Sequence, residues 1–139
     1  NDYFARPAPK STGRETFNQR WLDQQLKSLG DIAPRDVQAT LMQLTAETIA
    51  DQINRLEVDI DQVFVCGGGA FNNGLVSNLD SALPNAELCT TADLGLDPNW
   101  VEASAFAWLA KRRIEKQTGN LPAVTGASKP LVLGGLYLP

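Results

Sequence analysis

Apolar residues recur every three or four positions along four stretches of this chain, and that spacing predicts four amphipathic helices. The helices are expected at about residues 14–29, 34–56, 72–83 and 98–117. The second helix is predicted to turn one apolar stripe toward a core, formed by Val37, Leu41, Leu44, Thr48, Ile49 and Ile53. Residues 1–11 are predicted to be a loop, because Pro7 and Pro9 interrupt helix formation.

Start and stop signals support these helices. Thr12 and Glu15 have the spacing of a capping box before the first helix, and Gly30 follows its expected end. Pro34 suits the first position of the second helix. Asp97, which is followed by a proline, is the expected N-cap of the last helix.

Two short apolar runs bounded by turn residues predict two strands. The run from 63 to 66 leads into three glycines and predicts a buried parallel strand, and residues 86–91 predict a second strand. A helix between them gives a strand–helix–strand crossover, so the expected class is α/β, with helices packed on a mainly parallel sheet. Residues 1–139 are expected to form one partial domain, because two strands make an incomplete sheet. Partner strands are expected either before Asn1 or on another chain.

Composition narrows the functional classes. The 139 residues are 43% hydrophobic and carry 12 basic and 16 acidic side chains, a net charge of −4. This is a globular composition, and its acidic balance argues against nucleic-acid binding. No apolar run reaches the roughly 20 residues of a membrane helix, and no signal peptide is visible. A cytoplasmic location is the default expectation for a chain with so few cysteines.

Missing residue types exclude several kinds of site. The chain has no histidine, which removes histidine-dependent triads and zinc proteases of the HExxH type. No metal site is expected, since two scattered cysteines without histidine make a poor zinc site. Cys66 and Cys89 end the two predicted strands and are expected to be small buried hydrophobic residues.

The most distinctive local feature is the glycine loop, Gly67–Gly69, between the first predicted strand and a helix that begins near Asn72. Glycines let a backbone approach a ligand, and free N–H groups at a helix start favour anionic oxygens. The loop therefore suits a phosphate or the ribose of a nucleotide. It equally suits a tight turn with no ligand, and the pattern alone does not decide between the two.

Other candidates have simpler structural interpretations. Glu102 near the start of the last helix suits electrostatic capping better than substrate binding, and no general base stands out among the carboxylates. The segment Lys10–Glu15 could bind an anion but is more typical of a capped helix start. Core packing is a better interpretation of the tryptophans than sugar stacking, because two of the three, Trp21, Trp100 and Trp108, fall on helical stripes.

Four segments taken together resemble the C-terminal part of the anhydro-N-acetylmuramic acid kinase family, over essentially the whole chain. In chain order they are Lys10–Asn18, Val65–Asn72, Glu102–Ala110 and Gly119–Ala127. The resemblance implies the C-terminal lobe of an actin/hexokinase/Hsp70-like, or ribonuclease H-like, ATPase fold. It implies a bacterial cytoplasmic sugar kinase of cell-wall recycling. Such a kinase uses ATP and water to open the 1,6-anhydro ring and produce N-acetylmuramic acid 6-phosphate, with Mg²⁺ as the usual metal.

The resemblance also assigns roles to residues. Gly67, Gly68, Gly69 and Asn72 would line the nucleotide side of the cleft, and Glu102 would contact the sugar. Phe71 stands where relatives often have a polar or basic residue. The family's phosphate-binding Asp-Gly-Thr-type motif and its catalytic aspartate match nothing in this sequence, so no catalytic residue is assigned here.

Three functions therefore stay open at this point. The chain is expected to be the C-terminal portion of the kinase, inactive alone for lack of the N-terminal lobe, and a homodimer is possible. The alternatives are a stand-alone nucleotide-binding module and a structural fragment without a ligand site. The predicted ligands are the sugar and ATP.

Overall fold

The computed structural model describes residues 2–137, which divide into two compact units. One unit is Ala33–Ala105, and the other combines residues 2–32 with 106–137. The helices are α1 (Asp2–Ala5), α2 (Gln19–Leu26), α3 (Pro34–Asn54), α4 (Asn73–Ala82), α5 (Val101–Ile114) and α6 (Pro122–Thr125). The strands are β1 (Gln62–Val65) and β2 (Glu87–Thr90), and three 3₁₀ turns lie at Gly68–Phe71, Thr91–Leu94 and Pro98–Trp100.

In the unit Ala33–Ala105, β1 and β2 form a parallel pair connected through α4. Val63 lies opposite Leu88, and Phe64 lies opposite Cys89. The predicted α/β class and parallel pairing are confirmed. The predicted burial of the first strand is wrong for the described residues, since its apolar side chains are only half-buried. The reason is that within residues 2–137 this sheet has two strands, so each strand keeps one edge without a neighbour.

The core of this unit lies between α3 and α4. Its fully covered apolar side chains are Ala46, Ala50, Leu79 and Leu83. On α3 the fully buried residues are thus two alanines, which the predicted stripe of larger residues does not include. One member of that stripe, Ile49, is 40% exposed. Two alanines four positions apart let the helices approach closely, and Gly74 of α4 extends this contact by lying against the Met42 side chain.

In the other unit, α2 begins later than the sequence predicts. The capping box at Thr12 does not start the helix. Instead, Asn18 Oδ1 accepts the Trp21 N–H at 3.1 Å, while Asn18 Nδ2 donates to the carbonyl oxygens of Arg14 and Glu15. Asn18 is thus bonded on both sides of the boundary, which fixes the N-cap there. The helix ends at Leu26, before Gly30, which adopts a positive φ of 74°.

An aromatic cluster organises the N-terminal part of this unit. The rings of Tyr3, Phe4, Phe17 and Trp21 lie in contact, with centroids 5.1–5.6 Å apart. Lys10 Nζ donates to the carbonyl oxygens of Tyr3 and Phe4 and lies 5.1 Å from the centre of the Tyr3 ring. The ammonium group therefore holds the end of α1, which favours the structural interpretation of the segment Lys10–Glu15. The prediction of a loop over residues 1–11 misses α1, a single turn that ends before Pro7.

The segment after α5 is held by backbone and amide hydrogen bonds. Gly119 N–H donates to the Leu131 carbonyl at 3.0 Å, and Asn120 Oδ1 accepts the Leu131 N–H at 2.6 Å. A Cβ atom at Gly119 would meet Leu109 Cδ2 at 3.0 Å, so any larger residue would have to displace this leucine side chain of α5. The predicted helix to residue 117 is three residues too long, since α5 ends at Ile114.

The tryptophans correct one prediction. Trp100 is 64% exposed and Trp108 is 50% exposed, so neither is a core residue of the described chain. Trp21 is half-buried in the aromatic cluster. None of the helices within residues 2–137 combines the length and apolar character that crossing a membrane requires.

Candidate functional site

The candidate site is built around the glycine loop at the carboxyl end of β1. The strand ends at Val65, and Gly67 follows with φ 69° and ψ −169°. This backbone conformation is essentially restricted to glycine. It turns the chain out of the strand and directly into the 3₁₀ turn Gly68–Phe71. The first glycine of the loop is therefore required by the fold.

The next two glycines have a different character. A Cβ atom at Gly68 would meet nothing within 4 Å, and the φ of Gly68 lies outside the left-handed region. At Gly69 the added atom would make an ordinary contact of 3.5 Å with Leu75. Within residues 2–137 neither N–H finds an acceptor, because the first hydrogen bonds of this turn are donated by Ala70 and Asn72. The loop thus offers two neighbouring free N–H donors beside open space.

Asn72 joins this loop to α4. Its Oδ1 atom accepts the Leu75 N–H at 3.1 Å, so Asn72 is the N-cap of the helix, close to the predicted start. Its backbone N–H donates to the Gly69 carbonyl at 3.1 Å. Among the described residues the amide Nδ2 has no acceptor, and the side chain is exposed. Asn72 therefore keeps one donor for a ligand after capping the helix.

A shallow groove of about 280 Å³ adjoins Asn72. It is lined by Gln38, Leu41, Met42, Thr45, Asn72 and Leu75. Its walls combine apolar side chains of α3 with amide and hydroxyl groups. The groove offers space for a small molecule that extends from the loop along α3.

Glu102 lies in the first turn of α5, on an exposed side chain. In the part of the chain that the structure describes, its carboxylate has no hydrogen-bond or ion-pair partner. The negative charge suits the helix N-terminus, so electrostatic stabilisation of α5 is one function of this residue. The carboxylate also stays available to accept hydrogen bonds from ligand hydroxyl groups.

Backbone bonding connects α5 to the glycine loop. Gly67 N–H donates to the Pro98 carbonyl at 2.9 Å, and Pro98 is buried. Pro98 begins the 3₁₀ turn that leads into α5, four residues before Glu102. The loop and Asn72 are therefore contiguous, and Glu102 is joined to them through this bond. Sequence reasoning missed the Pro98 carbonyl, because a backbone acceptor has no residue-type signal.

The neighbouring carboxylates act as caps. Asp93 Oδ2 accepts the Thr90 N–H at 2.8 Å, and Asp97 Oδ1 accepts the Asn99 N–H at 2.8 Å. The predicted capping role of Asp97 is confirmed for the 3₁₀ turn Pro98–Trp100, whereas α5 itself begins only at Val101 and not near residue 98 as predicted. Residues 2–137 contain no group of three or more histidine, cysteine, aspartate or glutamate side chains suited to a metal ion.

The two cysteines differ from each other. Cys66 is exposed, which contradicts its predicted burial, because β1 ends at Val65 and Cys66 already lies beyond the strand. Cys89 is half-buried on β2. Partial burial raises the pKa of the Cys89 thiol, and the carboxylates of Glu87 and Asp93 act in the same direction. Cys89 is thus held in its neutral form.

Comparisons with known proteins give one consistent family. The family model described as anhydro-N-acetylmuramic acid kinase matches residues 1–139. Among curated proteins, the anhydro-N-acetylmuramic acid kinase of Shewanella sediminis is 53% identical over 135 residues, and that of Pasteurella multocida is 51% identical over 136 residues. That of Saccharophagus degradans is 52% identical over 138 residues.

The matches cover nearly all of this chain and a smaller part of each relative. The first two alignments cover 97% of the chain and 36% of the relative, and the third covers 99% and 37%. The chain thus spans little more than a third of the length of the curated relatives that it matches.

Proposed function

The chain belongs to the anhydro-N-acetylmuramic acid kinase family, and on that premise we propose that it contributes nucleotide and sugar contacts to an ATP-dependent anhydro-sugar kinase. In the proposed reaction water adds at C1 of anhydro-N-acetylmuramic acid as the bond from C1 to O6 breaks. O6 takes the γ-phosphoryl group of ATP, giving N-acetylmuramic acid 6-phosphate and ADP. The proposed setting is cell-wall recycling in the bacterial cytoplasm.

The nucleotide contact is assigned to Gly67, Gly68, Gly69 and Asn72. The observation that carries this assignment is Gly68, whose glycine identity is required by neither backbone conformation nor packing. The presence of glycine at such a position is explained if a bound ligand occupies the space that an alanine methyl group would fill. The free N–H groups of Gly68 and Gly69 and the Asn72 amide suit phosphate or ribose oxygens. The adjoining groove leaves room for the rest of the nucleotide.

The sugar contact is assigned to Glu102. An exposed carboxylate without a partner in the described chain is a hydrogen-bond acceptor, and anhydro-N-acetylmuramic acid carries neutral donors in its C4 hydroxyl and its acetamido N–H. Mg²⁺ is proposed to accompany ATP, as it does in most phosphoryl transfer. The proposal gives this ion no ligands among residues 2–137, because they do not fit a metal centre.

The phosphoryl transfer step is not assigned to any residue of this chain. We propose that the chain adopts the C-terminal lobe of an actin/hexokinase/Hsp70-like ATPase fold and acts with an N-terminal lobe. That lobe would supply the phosphate-binding motif and the aspartate that activates water. Phosphoryl transfer depends on positioning and on charge stabilisation from both sides of the nucleotide. The chain alone is therefore expected to be inactive, and a homodimer of the complete kinase is a further proposal.

The test of the nucleotide contact is Gly68→Ala. The added methyl group meets open space, so the variant should be at least as thermally stable as the parent chain. Its affinity for Mg-ATP should fall by about tenfold or more, because the methyl group occupies the approach to the loop. Equilibrium titration with Mg-ATP measures the affinity, and calorimetric melting measures the stability.

Ser81→Ala is the matched control, since Ser81 is exposed at the far end of α4 and bonds only to the Ser77 carbonyl. It should leave the affinity for Mg-ATP unchanged. Equal affinities of the Gly68→Ala variant and the parent chain would contradict the nucleotide assignment. They would favour the alternative in which the loop is a structural turn.

A further inference from the structure

A single backbone hydrogen bond connects the two halves of the proposed site. Gly67 N–H donates to the Pro98 carbonyl at 2.9 Å. Pro98 is one of the few buried residues of this unit, so the carbonyl is held in place by packing. Gly67 in turn has the glycine-only conformation that aims the loop. The orientation of the Pro98 carbonyl therefore bears directly on the shape of the loop.

Asp97 is the side chain that caps the turn in which Pro98 lies. Its Oδ1 atom accepts the Asn99 N–H at 2.8 Å and the Asn99 Nδ2 amide at 3.1 Å. The Asp97 carbonyl accepts the Trp100 N–H at 2.9 Å. Asp97 thus closes the turn Pro98–Trp100 from both its side chain and its backbone. We use the term Asp97 turn for Asp97 together with Pro98–Trp100.

The other end of the Asp97 turn is α5. The helix begins at Val101, the residue after the turn, and Glu102 is its second residue. A helix moves as a rigid element, so a rotation of the Asp97 turn displaces the Glu102 carboxylate. The same rotation lengthens or breaks the hydrogen bond to Gly67.

We propose that Asp97 is a positioning residue that, through the Asp97 turn, keeps the glycine loop and Glu102 at a fixed distance and orientation from each other. The inference rests on the proposed function, in which the loop contacts the nucleotide and Glu102 contacts the sugar. Asp97 itself contacts neither ligand in this scheme. Its role is to fix the spacing between two contacts that must hold their ligands at reacting distance, since small displacements of reacting groups are costly.

The chain contains a matched control for this role. Asp93 is also exposed and completes the capping box of another 3₁₀ turn, in which it accepts the Thr90 N–H at 2.8 Å and the Thr90 hydroxyl at 3.2 Å. Its turn, Thr91–Leu94, makes no hydrogen bond to the glycine loop in the described chain. Loss of either cap should lower stability to a similar extent, whereas only loss of the Asp97 cap should disturb Gly67.

The experiment compares Asp97→Ala, Asp97→Asn and Asp93→Ala in the whole chain. The first readout is hydrogen exchange at the Gly67 amide, measured by NMR. In Asp97→Ala we expect exchange to accelerate by about tenfold or more beyond the change seen in Asp93→Ala. Asparagine retains the accepting oxygen, so Asp97→Asn should restore slow exchange. The second readout is affinity for Mg-ATP and, separately, for anhydro-N-acetylmuramic acid.

Both affinities should fall in Asp97→Ala by about threefold or more, while Asp97→Asn and Asp93→Ala stay near the parent values. Equal Gly67 exchange in Asp97→Ala and Asp93→Ala would overturn the proposal, as would unchanged affinities in Asp97→Ala. If the parent chain binds neither ligand, the nucleotide and sugar assignments fail instead. Gly67 exchange still decides in that case whether the Asp97 turn holds the loop.

Discussion

The conformation of Gly67 leads to a quantitative prediction about stability. With φ 69° and ψ −169°, Gly67 lies in a region that side-chain-bearing residues enter only at a cost of about 1–3 kcal/mol. A Cβ atom there would meet nothing within 4 Å, so a clash adds nothing to this cost. The cost of Gly67→Ala in the folded state is therefore backbone strain alone.

The neighbouring Gly68 provides the reference. Gly68→Ala also places a methyl group in open space, but at an ordinary φ. Alanine at a compatible position stabilises by about 0.4–1 kcal/mol, because it restricts the unfolded chain. This gain is common to both variants and cancels, so they should differ by the strain alone, about 1–3 kcal/mol in unfolding free energy, with Gly67→Ala the less stable.

Urea denaturation followed by far-ultraviolet circular dichroism measures this difference. A loss of about 2 kcal/mol in Gly67→Ala corresponds to a fall in Tm of roughly 6–10 °C for a chain of this size. A Gly67→Ala variant within about 0.5 kcal/mol of the Gly68→Ala variant would refute the reasoning. It would mean that the loop relaxes to an ordinary φ without loss, and that Gly67 is not required by the fold.

Three further predictions concern Asn72, the cysteines and turnover. Asn72→Ala removes the cap of α4 and should lower the free energy of unfolding by about 1 kcal/mol in urea denaturation, whereas Asn72→Asp keeps an accepting oxygen and should stay near the parent. Both variants should bind Mg-ATP more weakly, because the Nδ2 donor is lost. Unimpaired binding by Asn72→Asp would exclude that contact. The raised pKa of the half-buried Cys89 thiol keeps it protonated to higher pH, so iodoacetamide should modify the exposed Cys66 first at pH about 8, and the labelling rate of Cys89 should increase as the pH rises. Peptide mass spectrometry measures the two labelling rates, and faster labelling of Cys89 would contradict the prediction. A coupled assay for ADP release should detect no sugar-dependent turnover by this chain alone, and measurable turnover would place the catalytic groups within it.

The parts of the fold that follow from local chemistry are predictable from the sequence. Pro34 at the first position of α3 and Asp97 before Pro98 act through their nearest neighbours, and in the structure Pro34 begins its helix as predicted and Asp97 caps the turn that leads into α5. The parallel strand pair follows from apolar runs separated by a helix. Competition between caps is harder to predict. Thr12 and Asn18 are both good N-caps, and Asn18 prevails because its amide also bonds backward to Arg14 and Glu15.

Burial is the property that the sequence predicts least well. The spacing of apolar residues predicts which face of a helix is buried, but it does not predict how closely the next helix approaches. The close contact at Ala46 and Ala50 of α3 therefore could not be predicted from it. For Trp100 and Trp108 the sequence overestimates burial. Large aromatic residues are expected in a core, but both are exposed in the described chain.

The candidate site also has one part that the sequence predicts and one part that depends on the folded structure. The glycine loop is a contiguous motif and was recognisable from the sequence. Its connection to Glu102 depends on a backbone carbonyl at Pro98, which only the folded chain reveals.

The glycine-only geometry of the loop also has a kinetic and entropic consequence. Gly67 is bonded to the Pro98 carbonyl and holds a glycine-only conformation through contacts within the chain itself. A ligand that uses the Gly68 and Gly69 N–H groups meets donors that are preorganised, and binding need not order them. Association at this loop should then proceed without a conformational step of its own. The entropy of shaping the loop is lost during folding of the polypeptide rather than at each encounter with a nucleotide.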